Sequence, residues 1–290
     1  MKIICEITGG LGNQMFQYAC GKAIAYRLSA KFLLDLSLLK YSNRTFMLDT
    51  FPNIRSVQKY KPSHDSAGFK KIFQRVLQGL GIRYCQHIQE PHYSYWPEIE
   101  NIQNSVRLSG YWQNEKYFLK ISSLIKQDFV FPNFSCTEAE AIAQKIRQSS
   151  CSVSIHIRRG DYVQNLAINQ VHGICSMEYY EKALQIIVDK NNESLPEIFL
   201  FSDDPKWIKS NFNTKGFPFV IIDIPQHKSA PYHDMHLMSL CRHHIIANSS
   251  FSWWGAWLSA RDGIIVAPKR WFKEETMRQY NPSLPSWITI

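Results

Sequence analysis

The sequence predicts an α/β protein made of two Rossmann-like halves, each with a doubly wound parallel sheet. The chain opens as strand, glycine turn, helix and strand, and beyond residue 150 nearly continuous apolar strands alternate with amphipathic helices. Its 290 residues are enough for two ordinary domains. We therefore expect an N-terminal domain over 1–149 and a C-terminal domain over 150–290, with a ligand-binding cleft between them at the carboxyl ends of the strands.

In the first half, "KIICEITGG" reads as a strand that ends in glycines. The following segment, 11–28, repeats apolar residues at helical spacing, and "KFLLDLS" reads as the next strand. Between about residues 40 and 135 only "VRLSGYWQ" (106–113) reads as a strand, and the rest mixes short helices with loops.

The second half alternates regularly. Thr137 and Glu140 predict a capping box for a helix at "CTEAEAIAQKIRQ". The predicted strands are "CSVSIHI", "EIFLFS", "FPFVIID", "HHIIANSS" and "GIIVAP". The predicted helices are "SMEYYEKALQIIVDK", "DPKWIKSNF", "HDMHLMSLC" and "SWWGAWLSA". A short helix at "KEETMRQY" is expected to let the tail from 269 pack back across the first half.

Composition narrows the class of protein. Hydrophobic residues make up 45% and charged residues 20%, which is a globular balance, and the net charge of +9 favours anionic partners. Lysines and arginines are interleaved with acids, so nucleic-acid binding is the less favoured interpretation. Seven cysteines without a CxxC pair indicate a reducing compartment and no zinc site. The N-terminus becomes polar too early for a signal peptide, and we expect a cytoplasmic protein that contacts the inner face of the membrane through its positive charge.

The turn "TGGLGNQ" (8–14) follows the first strand and opens a helix. Gly10 and Gly12 would let backbone N–H groups approach a phosphate at the positive end of the helix dipole. The pattern places Asn13 where a dinucleotide fingerprint would continue, so it is not GxGxxG. A tight βα turn without a ligand remains the alternative.

The segment "HIRRGDY" (156–162) follows a predicted buried strand. Strand alternation puts His156 and Arg158 on the same side. Arg158 and Arg159 could hold a diphosphate, and Asp161 could fix a guanidinium or orient a hydroxyl. The alternative is an Arg–Asp pair that closes a turn. An exposed RGD adhesion loop would require secretion, for which the sequence gives no sign.

Acidic residues also stand at the starts of two predicted helices. Asp203 and Asp204 could bind a metal, but Asp204 followed by Pro205 is better explained as a helix N-cap. Asp234 opens a predicted helix, so it is either a cap or a carboxylate that reads the N1–H and N2–H₂ edge of guanine.

The segment "NSSFSWWGAW" (248–257) also follows a strand and opens a helix. Ser249 and Ser250 could supply hydroxyl and N–H groups to an anion, or simply cap the helix. The tryptophan cluster after them favours helix packing over a sugar platform. His172 lies in a predicted loop, where it is either a base or a surface residue.

Three blocks together, "GGLGNQMFQYA", "HIRRGDY" and "NSSFSWWGAW", closely resemble the bacterial α-1,2-fucosyltransferases of glycosyltransferase family 11. Their order and spacing fit as well, and the resemblance extends over nearly the whole chain through "GYWQ", "CSMEYY" and "HHIIANSS". It implies a GT-B fold with the donor in the C-terminal half and no obligatory metal or other cofactor. The N-terminal domain would then be the acceptor side, and we expect the segment from about 40 to 135 to shape the acceptor pocket. The implied reaction is inverting transfer of L-fucose from GDP-β-L-fucose to the 2-hydroxyl of a galactoside, in surface-glycan or O-antigen synthesis.

The resemblance also implies roles for single residues. Arg158 matches an arginine on the β-phosphate, Asn13 an asparagine that faces the donor, and Asp234 a guanine-binding aspartate. Ser249, Ser250 and Phe251 match the segment that contacts the diphosphate.

The general base does not carry over from the resemblance, because Leu166 stands where some α-1,6 enzymes have a glutamate. Asp161, His172 or no strong base at all remain the alternatives. Rival interpretations are a transferase for another nucleotide sugar, a nucleic-acid-binding protein and a non-catalytic glycan-binding module.

Overall fold

The computed structural model describes residues 1–60, 85–160, 166–191, 195–224, 230 and 232–290. Within them the chain forms two compact units, Met1–Val130 and Phe131–Ile290. Each unit contains one sheet, and every strand pairing described in both sheets is parallel. The predicted α/β class with two parallel sheets is therefore confirmed.

The first unit has a five-stranded sheet in the order β3-β2-β1-β5-β4. Its strands are β1 (Lys2–Glu6), β2 (Lys31–Asp35), β3 (Gln58–Lys59), β4 (Gln86–Gln89) and β5 (Val106–Ser109). Its helices are α1 (Leu11–Arg27) and α2 (Ser122–Asp128). The sequence predicted β1, α1, β2 and β5, but it missed β3 and β4, which are short and mostly polar.

Two fully buried amides tie α1 to the first sheet. The Gln17 side chain accepts a hydrogen bond from the backbone N–H of Thr8 and donates one to the carbonyl of Gly110, both at 3.0 Å. The Gln14 amide donates to the carbonyl of Gly9 at 2.9 Å. These bonds fix the glycine turn after β1, since buried polar groups hold their partners rigidly when fully satisfied.

The second unit has a six-stranded sheet in the order β11-β10-β9-β6-β7-β8. Its strands are β6 (Ser152–Ile157), β7 (Glu197–Ser202), β8 (Phe219–Ile221), β9 (His243–Ile245), β10 (Ile265–Ala267) and β11 (Ile288–Thr289). Its helices are α3 (Thr137–Gln148), α4 (Leu166–His172), α5 (Met177–Lys190), α6 (Pro205–Asn211), α7 (His233–Leu240) and α8 (Ser250–Trp257). All five predicted strands and the predicted α3, α5, α6, α7 and α8 are present.

The boundary between the units lies at 130/131, earlier than the predicted 149/150. The physical reason is that α3 belongs to the core of the second unit, where Ile146 packs in one cluster with Leu237 of α7. The predicted capping box of α3 is wrong. Cys136 is the N-cap without a side-chain hydrogen bond, and the Glu140 carboxylate instead accepts from Arg147 at 3.0 Å.

The tail also differs from the prediction. In place of a helix over 273–280 there is a single 3₁₀ turn, Glu275–Met277. The last residues form β11, which extends the second sheet by pairing with β10 and which the sequence pattern did not reveal. Trp253 is fully buried, lies 5.6 Å from the ring of Trp287 and donates its indole N–H to the carbonyl of Pro282 at 2.9 Å. The packing interpretation of the tryptophan cluster is therefore confirmed.

Along the described segments, no helix combines the length and apolar character needed to cross a bilayer.

Candidate functional site

The candidate site lies where β6, β7 and β9 end. These strands are neighbours in the order β9-β6-β7, so the residues that follow them meet at one edge of the second sheet. The strand order also reverses here, because β7 and β8 lie on one side of β6 and β9 to β11 on the other. Open α/β sheets bind ligands at such a switch point.

Arg158 forms an ion pair across two strand ends. Its guanidinium lies 2.8 Å from the carboxylate of Asp203, and each side chain keeps about a quarter of its surface exposed. The same carboxylate accepts a hydrogen bond from the backbone N–H of Arg159 at 2.9 Å. A Cβ on Gly160 would lie 2.5 Å from this carboxylate, so any larger residue there would have to displace the Asp203 side chain. Asp203 therefore fixes both the arginine and its loop.

The interpretation of the sequence did not pair Arg158 with Asp203. It considered Asp203 together with Asp204 as a metal site, and Asp161 as the residue that could fix a guanidinium or orient a hydroxyl. Asp161 lies outside the described residues, and Asp203 takes the role of orienting Arg158. Only the parallel pairing of β6 with β7, including Ile157 opposite Ser202, brings the two segments together.

Arg159 is held against helix α6. Its guanidinium carbon lies 3.7 Å from the ring centroid of Trp207, and its Nε lies 3.7 Å from the Asp204 carboxylate. Asp204 is the N-cap of α6, accepts from the backbone N–H of Trp207 at 3.1 Å and precedes Pro205, so the predicted cap is confirmed. Stacking on Trp207 orients the Arg159 guanidinium, and its binding to a donor stays a prediction.

His156, in β6, is 5% exposed. Burial first, and then the positive charge of Arg158, lower the pKa of this imidazole to about 4. It is therefore neutral near pH 7 and can serve as a hydrogen-bonding group beside Arg158, but not as a second cation. Its ring centroid lies 5.9 Å from that of Phe251.

Ser249 and Ser250 lie at the N-terminus of α8. Ser249 is the N-cap, is 8% exposed and accepts from the backbone N–H of Phe251 at 3.3 Å, which confirms the capping interpretation. The backbone N–H groups of the first turn of α8 lie at the positive end of the helix dipole, where anions commonly bind. Contacts of Ser249, Ser250 and Phe251 with a diphosphate stay a prediction.

Asn248, which the sequence interpretation did not single out, anchors the loops around this edge. Its side chain is 3% exposed and donates to the carbonyl of His172 at 2.9 Å and to that of Trp271 at 3.2 Å. An asparagine three residues beyond the buried strand β9 was the only available signal. His172 ends α4, its ring lies 5.3 Å from that of Phe272, and it lines a cavity of about 660 Å³ together with Asn248 and Arg270.

Asp234 lies in the first turn of α7, but it is not the cap. Tyr232 occupies the N-cap position, without a side-chain hydrogen bond. Asp234 is partly buried, and burial raises the pKa of its carboxyl to about 6. No described residue gives it a hydrogen bond or an ion pair. A partly buried carboxylate to which no described residue donates is suited to a ligand with N–H groups.

In the first unit, Gly10 is the N-cap of α1, and a Cβ on it would meet nothing within 4 Å. The glycine that the turn requires is Gly9, with φ +76°. Gly12 is buried in the first turn of α1, and Asn13 beside it accepts a hydrogen bond from the side chain of Gln113 at 2.9 Å. The predicted donor contacts of Gly10, Gly12 and Asn13 stay predictions.

Searching the described ranges for three or more clustered His, Cys, Asp or Glu side chains gives no group that could hold a metal ion.

Two parallel sheets, and an arginine at a strand end whose neighbour His156 contacts Phe251 at the start of α8, fit a glycosyltransferase of the GT-B type. The model of glycosyl transferase family 11 matches residues 2–290, so the chain belongs to that family.

Relatives of known function are transferases. An α-1,2-colitosyltransferase of Escherichia coli is 34% identical over 99% of this chain and 98% of its own length. The O-antigen biosynthesis glycosyltransferase WbnK of Escherichia coli is 30% identical over 98% of this chain and 99% of its own. A galactoside α-(1,2)-fucosyltransferase 1 of Bos taurus is 23% identical over 97% of this chain and 74% of its own.

The fold is similar to that of a solved fucosyltransferase. The crystal structure of NodZ α-1,6-fucosyltransferase soaked with GDP-fucose aligns with a TM-score of 0.51 at 14% identity, covering 89% of this chain and 92% of the other.

Proposed function

We propose that this enzyme transfers L-fucose from GDP-β-L-fucose to the 2-hydroxyl of a galactoside with inversion, giving an α-1,2 linkage in a surface glycan such as O-antigen. The observation that carries the proposal is the edge of the second sheet, where Asp203 holds Arg158, and where His156, two residues before Arg158, lies 5.9 Å from Phe251 in the first turn of α8. The names of the colitosyltransferase and of the Bos taurus fucosyltransferase support an α-1,2 linkage, and the latter name supports a galactoside acceptor. The name of WbnK supports a role in O-antigen synthesis. The NodZ structure supports GDP-fucose as donor.

The charge that develops on the leaving GDP is the main catalytic demand. As the bond to the fucosyl carbon breaks, negative charge builds on the β-phosphate. Arg158 and the first N–H groups of α8 neutralise it, and one such donor is worth about 3–4 kcal/mol, or 10²–10³ in rate. Asp203 holds the arginine in place before the reaction, so little reorganisation accompanies bond breaking.

Guanine is assigned to Asp234. Its carboxylate accepts from the N1–H and N2–H₂ groups, a pair of donors that adenine and uracil do not present together. Because no described residue occupies this carboxylate, binding of GDP replaces an uncompensated burial with two charge-assisted hydrogen bonds.

No metal or other cofactor enters the proposed reaction. The positive charge that a divalent cation would bring to the diphosphate comes from Arg158 and the amides of α8. The acceptor hydroxyl loses its proton to His172 or Asp161, the two candidates for the base, or to solvent in a reaction without a strong base. We further propose that the reaction takes place in the cytoplasm, at the inner face of the membrane, as the free thiols and the net charge of +9 favour.

A second candidate donor follows from the colitosyltransferase relative. Colitose is the 3-deoxy analogue of L-fucose, so the two donors share GDP and differ in one hydroxyl. The same grip on GDP would serve both, and the choice between them falls to the residues that contact the sugar.

A donor panel tests the proposal. Purified enzyme is incubated with lactose and excess EDTA, together with one donor at a time: GDP-fucose, GDP-colitose, GDP-mannose or UDP-galactose. The masses of the products are measured by mass spectrometry. We expect a deoxyhexose added from GDP-fucose in the presence of EDTA. Transfer from GDP-colitose alone would show that colitose, and not fucose, is the sugar transferred. Transfer from UDP-galactose would contradict the assignment of guanine to Asp234. Loss of transfer in the presence of EDTA would contradict a metal-independent reaction.

A further inference from the structure

The cavity of about 660 Å³ in the second unit lies beyond the carboxyl ends of β9 and β10 and is lined by basic side chains. Four of its lining residues are lysine or arginine, none is aspartate or glutamate, and the four are Lys269, Arg270, Lys273 and Arg278. Its volume is within the range of small-ligand sites, about 300–1,000 Å³. A concave site lined by one sign of charge concentrates ions of the opposite sign, so this cavity attracts anions.

Most of this positive charge is not neutralised by neighbouring acids. Arg278 pairs with Glu275 at 2.8 Å. Lys269, Arg270 and Lys273 are exposed, and none of the three has an acidic partner in the part of the chain that the structure describes. Lysine and arginine side chains bind phosphate through charge-assisted hydrogen bonds, so these cations suit an anion of the phosphate type.

Buried hydrogen bonds hold the walls of the cavity together. The Asn248 side chain donates to the carbonyl of His172 in one wall and to that of Trp271 in the other. The backbone N–H of Lys273 donates to the carbonyl of Val171 at 2.8 Å and joins the same two segments. The cavity is therefore formed before a ligand arrives, and binding requires little ordering of the chain.

The cavity and the ion pair of Arg158 with Asp203 lie at different places along the edge of the second sheet. Arg158 and Asp203 follow β6 and β7. Lys269 and Arg270 follow β10, and the strand order is β10-β9-β6-β7. The strands β6 and β10 are thus two spacings, or about 10 Å, apart. Since the proposed function places the diphosphate of GDP at Arg158, the cavity would receive an anion from another molecule.

We propose that this cavity binds a phosphate or diphosphate group carried by the acceptor. The assignment of the anion to the acceptor rests on the proposed function, whereas the binding of the anion does not. His172, one of the two candidates for the base, lines the same cavity, so an acceptor held here would lie next to that imidazole.

Anion binding is tested without turnover. Titration calorimetry measures the Kd of inorganic diphosphate for enzyme saturated with GDP, at constant ionic strength. We expect the wild type to bind diphosphate and the double variant Lys269→Gln/Arg270→Gln to bind it at least tenfold more weakly. The matched control, Lys190→Gln/Lys215→Gln, removes the same charge at two exposed lysines and should leave the Kd within twofold. Lys190 is suited to this because it ends α5, about 20 Å from the start of that helix.

Two results of the calorimetry would overturn the proposal. Equal weakening in both double variants would show that diphosphate responds only to net charge. Loss of diphosphate binding when GDP is present would show that the cavity belongs to the donor. If Lys269→Gln/Arg270→Gln does not fold, the single variants take its place in the same titrations.

The assignment to the acceptor is tested by turnover with GDP-fucose and either lactose or lactose 1-phosphate. We expect the KM of lactose 1-phosphate to be at least tenfold below that of lactose in the wild type, and the two KM values to agree within twofold in Lys269→Gln/Arg270→Gln. Equal KM values in the wild type would overturn this assignment. Absence of transfer to every acceptor would count against the proposed function, while the calorimetry would still decide whether the cavity binds an anion.

Discussion

The Asp234→Asn variant tests whether the carboxylate of Asp234 serves to bind a ligand or to stabilise the fold. Burial raises the pKa of Asp234 from 3.8 to about 6, with no described residue as a compensating donor. The folded state therefore holds this proton more tightly than the unfolded state, and the free energy of unfolding falls as the pH rises from about 4 to 6. The loss is complete above pH 6 and corresponds to about 3 kcal/mol.

Asparagine removes the ionisation but leaves a polar amide in the same place. We therefore expect Asp234→Asn to be more stable than the wild type at pH 8 by about 1–2 kcal/mol, or about 3–6 °C in Tm, with the difference vanishing near pH 4. Thermal unfolding followed by circular dichroism at several pH values measures this. Asp262→Asn, at an exposed aspartate of the second unit, is the matched control and should show no such pH dependence.

The same variant should lose its response to GDP. At a GDP concentration of 100 times Kd the wild type gains about 2.7 kcal/mol, and a variant with hundredfold weaker affinity gains about 0.4 kcal/mol. Wild-type affinity should also weaken below pH 6, as the carboxylate that accepts the guanine N–H groups becomes protonated. An Asp234→Asn variant that is less stable at pH 8 and binds GDP as tightly as the wild type would refute the reasoning.

The remaining predictions concern the edge of the second sheet. Arg158→Ala should lower kcat 10²–10³-fold and change the free energy of unfolding by about 1 kcal/mol or less, because its ion pair is partly solvated; aggregation with unchanged activity per folded molecule would contradict this. Gly160→Ala should displace the Asp203 carboxylate and lower kcat at least tenfold in steady-state assays, and wild-type kcat would show that the loop tolerates a Cβ. Asn248→Ala should cost about 1–3 kcal/mol in urea unfolding, since it strands buried carbonyls, and an unchanged midpoint would rule out its anchoring role.

The sequence predicted those parts of the fold whose signals are local. We could predict β6, β7 and β9 from their apolar runs, and the start of α6 from Asp204 and Pro205. In each case burial or capping determines the types of residues that are adjacent in the sequence. The short strands β3, β4 and β11 show no apolar periodicity. They are stabilised mostly by pairing with neighbouring strands, so their own sequences need no such pattern. The helix α3 was assigned to the wrong side of the boundary because only its packing against α7 shows where it belongs.

The candidate site was predicted as a set of strand ends but not as a set of contacts. Arg158, Asp234 and the serines of α8 could be named from their positions. The pairing of Arg158 with Asp203 joins residues more than forty positions apart, and the hydrogen bond from Gln17 to the carbonyl of Gly110 likewise depends on strand order. Neither distance along the chain nor residue type signals such contacts.

The central claim is transfer of fucose to the 2-hydroxyl of a galactoside. The most direct measurement compares lactose with its analogue deoxygenated at position 2 of the galactose, using GDP-fucose as donor, and determines the linkage and anomeric configuration of the product by NMR. We predict an α-1,2-linked fucosyl product from lactose and none from the deoxy analogue. Equal transfer to both acceptors, or a product with a β linkage, would contradict the account.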